Sequence, residues 1–246
     1  MPYMIYYILS ALVVLIALTV HEFSHGFAAY KLGDPTAKSL GRLSLNPIKH
    51  LDPIGAICML FFHVGWAKPV PINARYFKKP KRDFALVALA GPLANLVMAF
   101  LSAFLYLFLY ALWRDIVFVS AFRLALAENV LLFLQLFHVI NIGLAIFNLL
   151  PIPPFDGSRI LNVILPQRIY FSIMKYERQI YFFVLGWLLL GDIAARAIMA
   201  IPLASQSVAL TVIANILSLS GLLGTVNSFI SDLMLRFWQL IPFLRI

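Results

Sequence analysis

Long apolar runs alternate with short polar, proline-rich ones along this chain, and the runs are as long as membrane spans. Residues 3–29 are almost wholly Ile, Leu, Val, Ala and Tyr until VHEFSHGF, and Gly33 and Pro35 stop the helix they predict. Residues 84–112, from FALVALAGPLANL through FLYLFLYALW, predict a second span, and 129–150, closing on PIPPFDG, a third. Further apolar segments at roughly 179–201 and 207–234 bring the expectation to about five to six transmembrane segments. Between the second and third spans, 114–127 carries Arg114, Asp115, Arg123 and several aromatics, and reads as an interfacial linker. The stretch 31–83 is rich in Pro, Gly and Asn, with alternating pieces such as RLSLN, and predicts turns and short strands. Embedded in it, DPIGAICMLFFHVGW is too short for an ordinary span and predicts a short, partly inserted element.

Composition turns the pattern into a class. The chain is 63% apolar and 12% charged, with a mean hydropathy of +0.93. Soluble domains carry about 25% charged residues, so this chain cannot cover itself for water. The fold class is an all-α polytopic membrane protein. The first segment lacks a basic leader and a small-residue cleavage site and runs straight into VHEFSH, so it reads as a retained span. The single cysteine, Cys58, excludes an internal disulfide framework and a Cys-rich metal site.

Charge adds orientation. The net charge of +9 is spread over loops between apolar segments, which suits anionic headgroups of the lipid bilayer, and no nucleic acid is expected as a partner. Ten of the nineteen Lys and Arg lie between Lys31 and Arg82, and none precedes Lys31. The positive-inside rule then places the N-terminus outside and 31–83 in the cytoplasm. Following the spans, PIPPFDG returns to the cytoplasmic side, where the first span ends at HEFSH. Two chemically unusual stretches far apart in sequence thereby share a depth.

The first of them, His21-Glu22-Phe23-Ser24-His25, is an HExxH pattern. On a helix, positions i and i+4 lie one turn apart on one face, so both imidazoles can reach one metal ion. Two histidines so placed suit zinc, and Glu22 beside them can take a proton from a water that the metal acidifies. Ionisable groups within a span cost roughly 2.5–3.5 kcal/mol each on insertion scales, which argues for a functional reason to keep them.

A catalytic zinc needs a third protein ligand. The remaining histidines are His50, His63 and His138, and the acids near apolar segments are Asp115, Glu128, Asp156, Asp192 and Asp232. Asp115, Glu128 and Asp192 fall on the outward side, and a solvated helix end suffices for Asp232. Asp156 sits in FNLLPIPPFDGSRIL at the depth of HEFSH, where prolines break the helix and stiffen the chain. A carboxylate there can be aimed at the first span. It can also serve as the N-cap of a helix DGSRILNVIL, which does not exclude ligation.

With HEFSH, GPLANL and NLLPIPPFDG in order along the chain, the sequence resembles the site-2 protease family of intramembrane zinc metalloproteases, peptidase family M50. GRLSLNPIKHLDPIG and GWAKPVPIN resemble its compact branch, which lacks PDZ and regulatory domains. The resemblance covers most of residues 15–165. It implies that His21, His25 and Asp156 hold one zinc ion and that Glu22 is the general base. It further implies that Asn148 supports the oxyanion and that Asn95 holds substrate backbone. Asn141, one heptad before Asn148, falls outside the family pattern and reads as structural.

The chain divides accordingly into a catalytic membrane core, 1–165, and C-terminal membrane segments, 166–246. The function implied is hydrolysis of peptide bonds within or next to the transmembrane segments of membrane protein substrates, at the cytoplasmic side of a cell membrane. Such a substrate must unwind before water can attack, and strand edges in 31–83 offer it a partner. The competing readings are a membrane zinc-binding transporter and a proteolytically inactive, partner-binding relative. Transport by an inverted repeat would show paired broken segments, which the sequence lacks. The oligomeric state is not legible in it.

Overall fold

The computed structural model describes residues 2–53, 67–114, 120–201 and 218–245, with single positions between them. Three long helices dominate the fold: α1 (Pro2–Lys31), α2 (Pro80–Trp113) and α3 (Ala121–Asn148). Among the described residues these are the helices long and apolar enough to span. Even the 28 residues of α3 reach about 42 Å at 1.5 Å per residue, more than the ~30 Å hydrocarbon core, so helix ends stand among headgroups. Four shorter helices follow: α4 (Asp156–Ile164), α5 (Gln167–Met174), α6 (Glu177–Met199) and α7 (Leu219–Trp238).

The helical class is as the hydrophobic pattern predicts, with three spans supported against the five to six expected. α6 lies over the predicted segment at 179–201, and 202–206 and 211–217 lie outside the described residues. The linker expected at 114–127 is helix in its second half, since α3 already begins at Ala121. Its AFRLALA stretch is made of good helix formers, and that local preference prevails over the polar positions.

α1, α2 and α3 pack against one another, α4 lies on α2, and α7 lies on α3 and α2. Lipid tails offer no hydrophobic drive for helix association, so close backbone approach matters. Ala17, Ala99, Ala103 and Ala145 are fully buried, whereas Val97, Leu101, Leu105 and Val139 stay exposed for lipid. Val13, Leu136 and Phe137 form the apolar centre, with Leu9, Ile16 and Met98 against it. α7 is docked by polar groups: Asn227 donates to the Val139 carbonyl at 3.0 Å, Ser231 to His138 Nε2 at 2.7 Å, and Trp238 to the Phe100 carbonyl at 3.0 Å.

The strands expected in 31–83 are not formed among the described residues. An isolated antiparallel bridge joins Leu51 to Ala67, and Asn46 and Asn73 each start a 3-10 turn by accepting from a backbone N–H two residues on. Pro69 and Pro71 remove the donors that a ladder would need. The predicted inserted element lies largely at residues 56–66, outside the described residues, as do Cys58 and His63. What remains is an extended strap, 67–73, lashed to the helices. Lys68 donates to the His50 carbonyl at 2.8 Å and Arg42 to the Lys68 carbonyl at 2.8 Å. The strap's far end is held by Asp34, a fully buried carboxylate that accepts from Asn73 N–H at 2.7 Å. Gly33, at φ +107°, makes the left-handed turn that ends α1 and brings Asp34 there.

Candidate metal centre

His21 and His25 lie one turn apart on the buried face of α1, 4% and 6% exposed. Asp156 reaches them from the first position of α4, where the chain restarts after the prolines; it begins the helix and does not cap it. Its Oδ2 is 3.1 Å from His21 Nε2 and 3.2 Å from His25 Nε2, and the two Nε2 atoms are 3.0 Å apart. Three donor atoms thus form a nearly equilateral triangle. Donors about 2.0 Å from a tetrahedral zinc stand about 3.3 Å from one another, so this triangle matches one face of a zinc coordination sphere.

The hydrogen bonds behind the histidines sharpen the fit. His21 Nδ1 lies 2.6 Å from Asn95 Oδ1, and His25 Nδ1 lies 2.7 Å from the Val87 carbonyl. Both partners only accept, so each Nδ1 carries a proton, and a ring with no second proton turns its Nε2 lone pair toward the other ring and Asp156. Lone pairs and a carboxylate gathered at 3 Å repel unless a cation, proton or metal, sits among them. Two imidazoles, one carboxylate and supporting acceptors on the far ring nitrogens make the donor set of a catalytic zinc.

Two glycines make room for it. A Cβ on Gly91 would stand 2.5 Å from His25 Nε2 and 2.7 Å from His21 Cε1. A Cβ on Gly157 would run into the Leu149 and Leu150 carbonyls. GPLANL therefore supplies a gap for the imidazoles, and the DG pair lets α4 start close under the end of α3.

A cavity of about 540 Å³ opens on the triangle, with Glu22, Asn148 and Arg159 in its walls. Glu22 Oε2 accepts from the backbone N–H of Val70 in the strap at 2.8 Å. Asn148 Nδ2 donates to the Leu144 carbonyl at 3.0 Å while the residue faces the cavity. Tyr181, Val184 and Leu185 of α6 form the opposite wall, and Arg159 of α4 is tied to Glu177 of α6 at 2.7 Å.

Of the residues singled out in the sequence, His21, Glu22, His25, Asn148 and Asp156 meet at this cavity. Asn95 does not. It is fully buried, and both amide hydrogens are used, toward the Ala17 carbonyl at 3.3 Å and Asn141 Oδ1 at 2.8 Å. In this arrangement its side chain supports His21 and does not face the cavity. Sequence reasoning also passed over Gly91, the Val70 N–H and the α6 wall. Only Gly91 left a signal, a glycine inside an apolar helix.

Fold and site together define a class, a helical membrane protein with a buried two-histidine, one-carboxylate metal centre facing a cavity. The chain belongs to peptidase family M50, whose family model matches residues 9–191. It is 43% identical over 166 residues to "Putative zinc metalloprotease YwhC" of Bacillus subtilis, a match covering 68% of this chain and 70% of that protein. It is 32% identical over 153 residues to "Putative zinc metalloprotease Rip2" of Mycolicibacterium smegmatis, covering 58% of this chain and 52% of that protein. With "Putative zinc metalloprotease MJ0611" of Methanocaldococcus jannaschii it shares 29% identity over 109 residues, 44% of this chain and 49% of that one. No solved structure matches it.

Proposed function

We propose that this protein is a site-2-type intramembrane zinc metalloprotease, cleaving peptide bonds within or beside transmembrane segments of membrane protein substrates. The observation that carries the reading is the donor triangle of His21, His25 and Asp156, with Glu22 in the same cavity wall. Those three side chains would hold a zinc ion, which would supply Lewis acidity toward the scissile carbonyl. Glu22, its rotamer fixed by the Val70 N–H, takes the proton of the attacking water. Asn148 stands in the wall where an amide N–H can meet the oxygen that gains charge. α6 and the strap close the cavity sides, so that a substrate unwinds into a confined space with little competing water. The orientation that goes with this reading has the N-terminus outside, and 31–83 and the site toward the cytoplasm, in a cell membrane.

The test is cleavage of a labelled panel of transmembrane peptides by the purified chain in detergent, wild type against Glu22→Gln, with and without a zinc chelator. Gln keeps the size of the side chain and removes the base. Cleavage by chelator-free wild type alone is expected. Cleavage that persists in Glu22→Gln, or that ignores the chelator, overturns the mechanism.

A further inference from the structure

The most deeply buried polar contacts of the spanning helices lie behind His21. Asn95 of α2 and Asn141 of α3 are both 0% exposed, and both side-chain amides donate and accept. Asn141 Nδ2 donates to the Phe137 carbonyl at 2.8 Å, and Asn141 Oδ1 accepts from Asn95 Nδ2 at 2.8 Å. Asn95 Oδ1 then accepts from His21 Nδ1 at 2.6 Å. The chain has one direction. It is anchored on a backbone carbonyl that can only accept, so every amide along it must point the same way, and the proton of His21 must sit on Nδ1.

We propose that Asn141 is a positioning residue of the metal centre, fixing the tautomer of His21 through Asn95 although it touches neither the cavity nor the imidazole. The inference rests on the zinc reading of the triangle and extends it to α3, a helix that gives the triangle no donor. Without Asn141 Oδ1, the Asn95 amide N–H groups keep only the long contact to the Ala17 carbonyl, 3.3 Å. A flipped Asn95 amide would present N–H to His21 Nδ1, move the ring proton to Nε2 and remove the lone pair that faces Asp156. The relay also makes Nε2 a better donor, since a hydrogen bond accepted from Nδ1–H pushes electron density into the ring. A purely structural Asn141 would do something else. It would tie α2 to α3, and its loss would weaken the fold while leaving the preference of His21 for a metal unchanged.

The two roles separate in zinc affinity, which needs no substrate. The full chain in detergent would be titrated with zinc against a chromophoric chelator, with thermal unfolding followed in parallel. Asn141→Leu fills the space and removes the acceptor; groups that support metal-bound histidines are worth 10–100-fold in affinity, and a loss of about tenfold is expected. Asn141→Asp is isosteric, and burial in the span keeps it protonated, so its hydroxyl donates to the Phe137 carbonyl while its other oxygen accepts from Asn95, and its affinity should stay close to that of the wild type. If Asn141→Leu does not fold, Asn141→Ala removes the same acceptor and is read in the same way. A folded Leu or Ala variant that binds zinc as tightly as the wild type overturns the proposal, as does an equal loss in the Asp variant. A wild type that binds no zinc sinks the zinc reading itself, a result easily told from equal affinities.

Discussion

At the scale of single residues the site is built by removing atoms as much as by placing them. Gly91 is the sharpest case, because a methyl group there would overlap both imidazoles and neither can retreat: His21 is held by Asn95 and His25 by the Val87 carbonyl. Gly91→Ala is therefore expected to weaken zinc binding by about tenfold or more, the range seen when groups that support a ligand are disturbed. Chelator competition measures it, and unchanged affinity would show that the rings can move. The same contacts explain what could and could not be read in advance. HExxH was legible because its geometry is local, two histidines on one helical face. The place of Asn95 was not, because whether a helix position meets a cavity or a neighbouring histidine is decided by packing between helices. Its i+4 spacing from Gly91 puts both near the histidine face of α1, but spacing does not say which of them the substrate can reach.

At the scale of elements, the cavity has one wall of a different kind. α1, α2 and α3 are packed on several sides, whereas the helix-to-helix packing of α6 is chiefly with α7. A polar tie joins it to α4, Arg159–Glu177, about one-third exposed at both ends. Exposed pairs of this sort contribute roughly 0–1 kcal/mol, so Glu177→Gln should barely move the melting temperature. Because it loosens a wall of the cavity, on the proposed protease reading it should shift KM more than kcat in the peptide assay and leave zinc content untouched. A drop in kcat alone, or lost zinc, would place α6 in the chemistry instead. The strap across the other wall shows where element prediction fails. Alternating hydrophobic residues suggested strands in 31–83, but Pro69 and Pro71 deny the ladder its donors, and side chains such as Asp34 and Arg42 take over the backbone bonding.

At the scale of the whole molecule, hydrophobic run length and the bias of basic residues were enough to bring HEFSH and PIPPFDG to one depth. The structure joins them within 3.2 Å. That much was legible because bilayer thickness converts sequence length into height. The crossing of α1 and α2 that places Asn95 against His21 was not, since height says nothing about rotation. The orientation itself is testable by labelling single cysteines in a Cys58→Ala background. A membrane-impermeant maleimide should reach Met4→Cys in intact cells and Ser39→Cys only in opened ones; the reverse pattern would turn the molecule over. The central claim, that side chains 135 residues apart close one zinc site, is tested most directly by metal content. Purified wild type should carry one zinc per chain, and Asp156→Ala, of unchanged helical content, should carry far less after the same dialysis. Equal zinc in the two proteins would contradict the account, because the ion would then be held by something other than the triangle described.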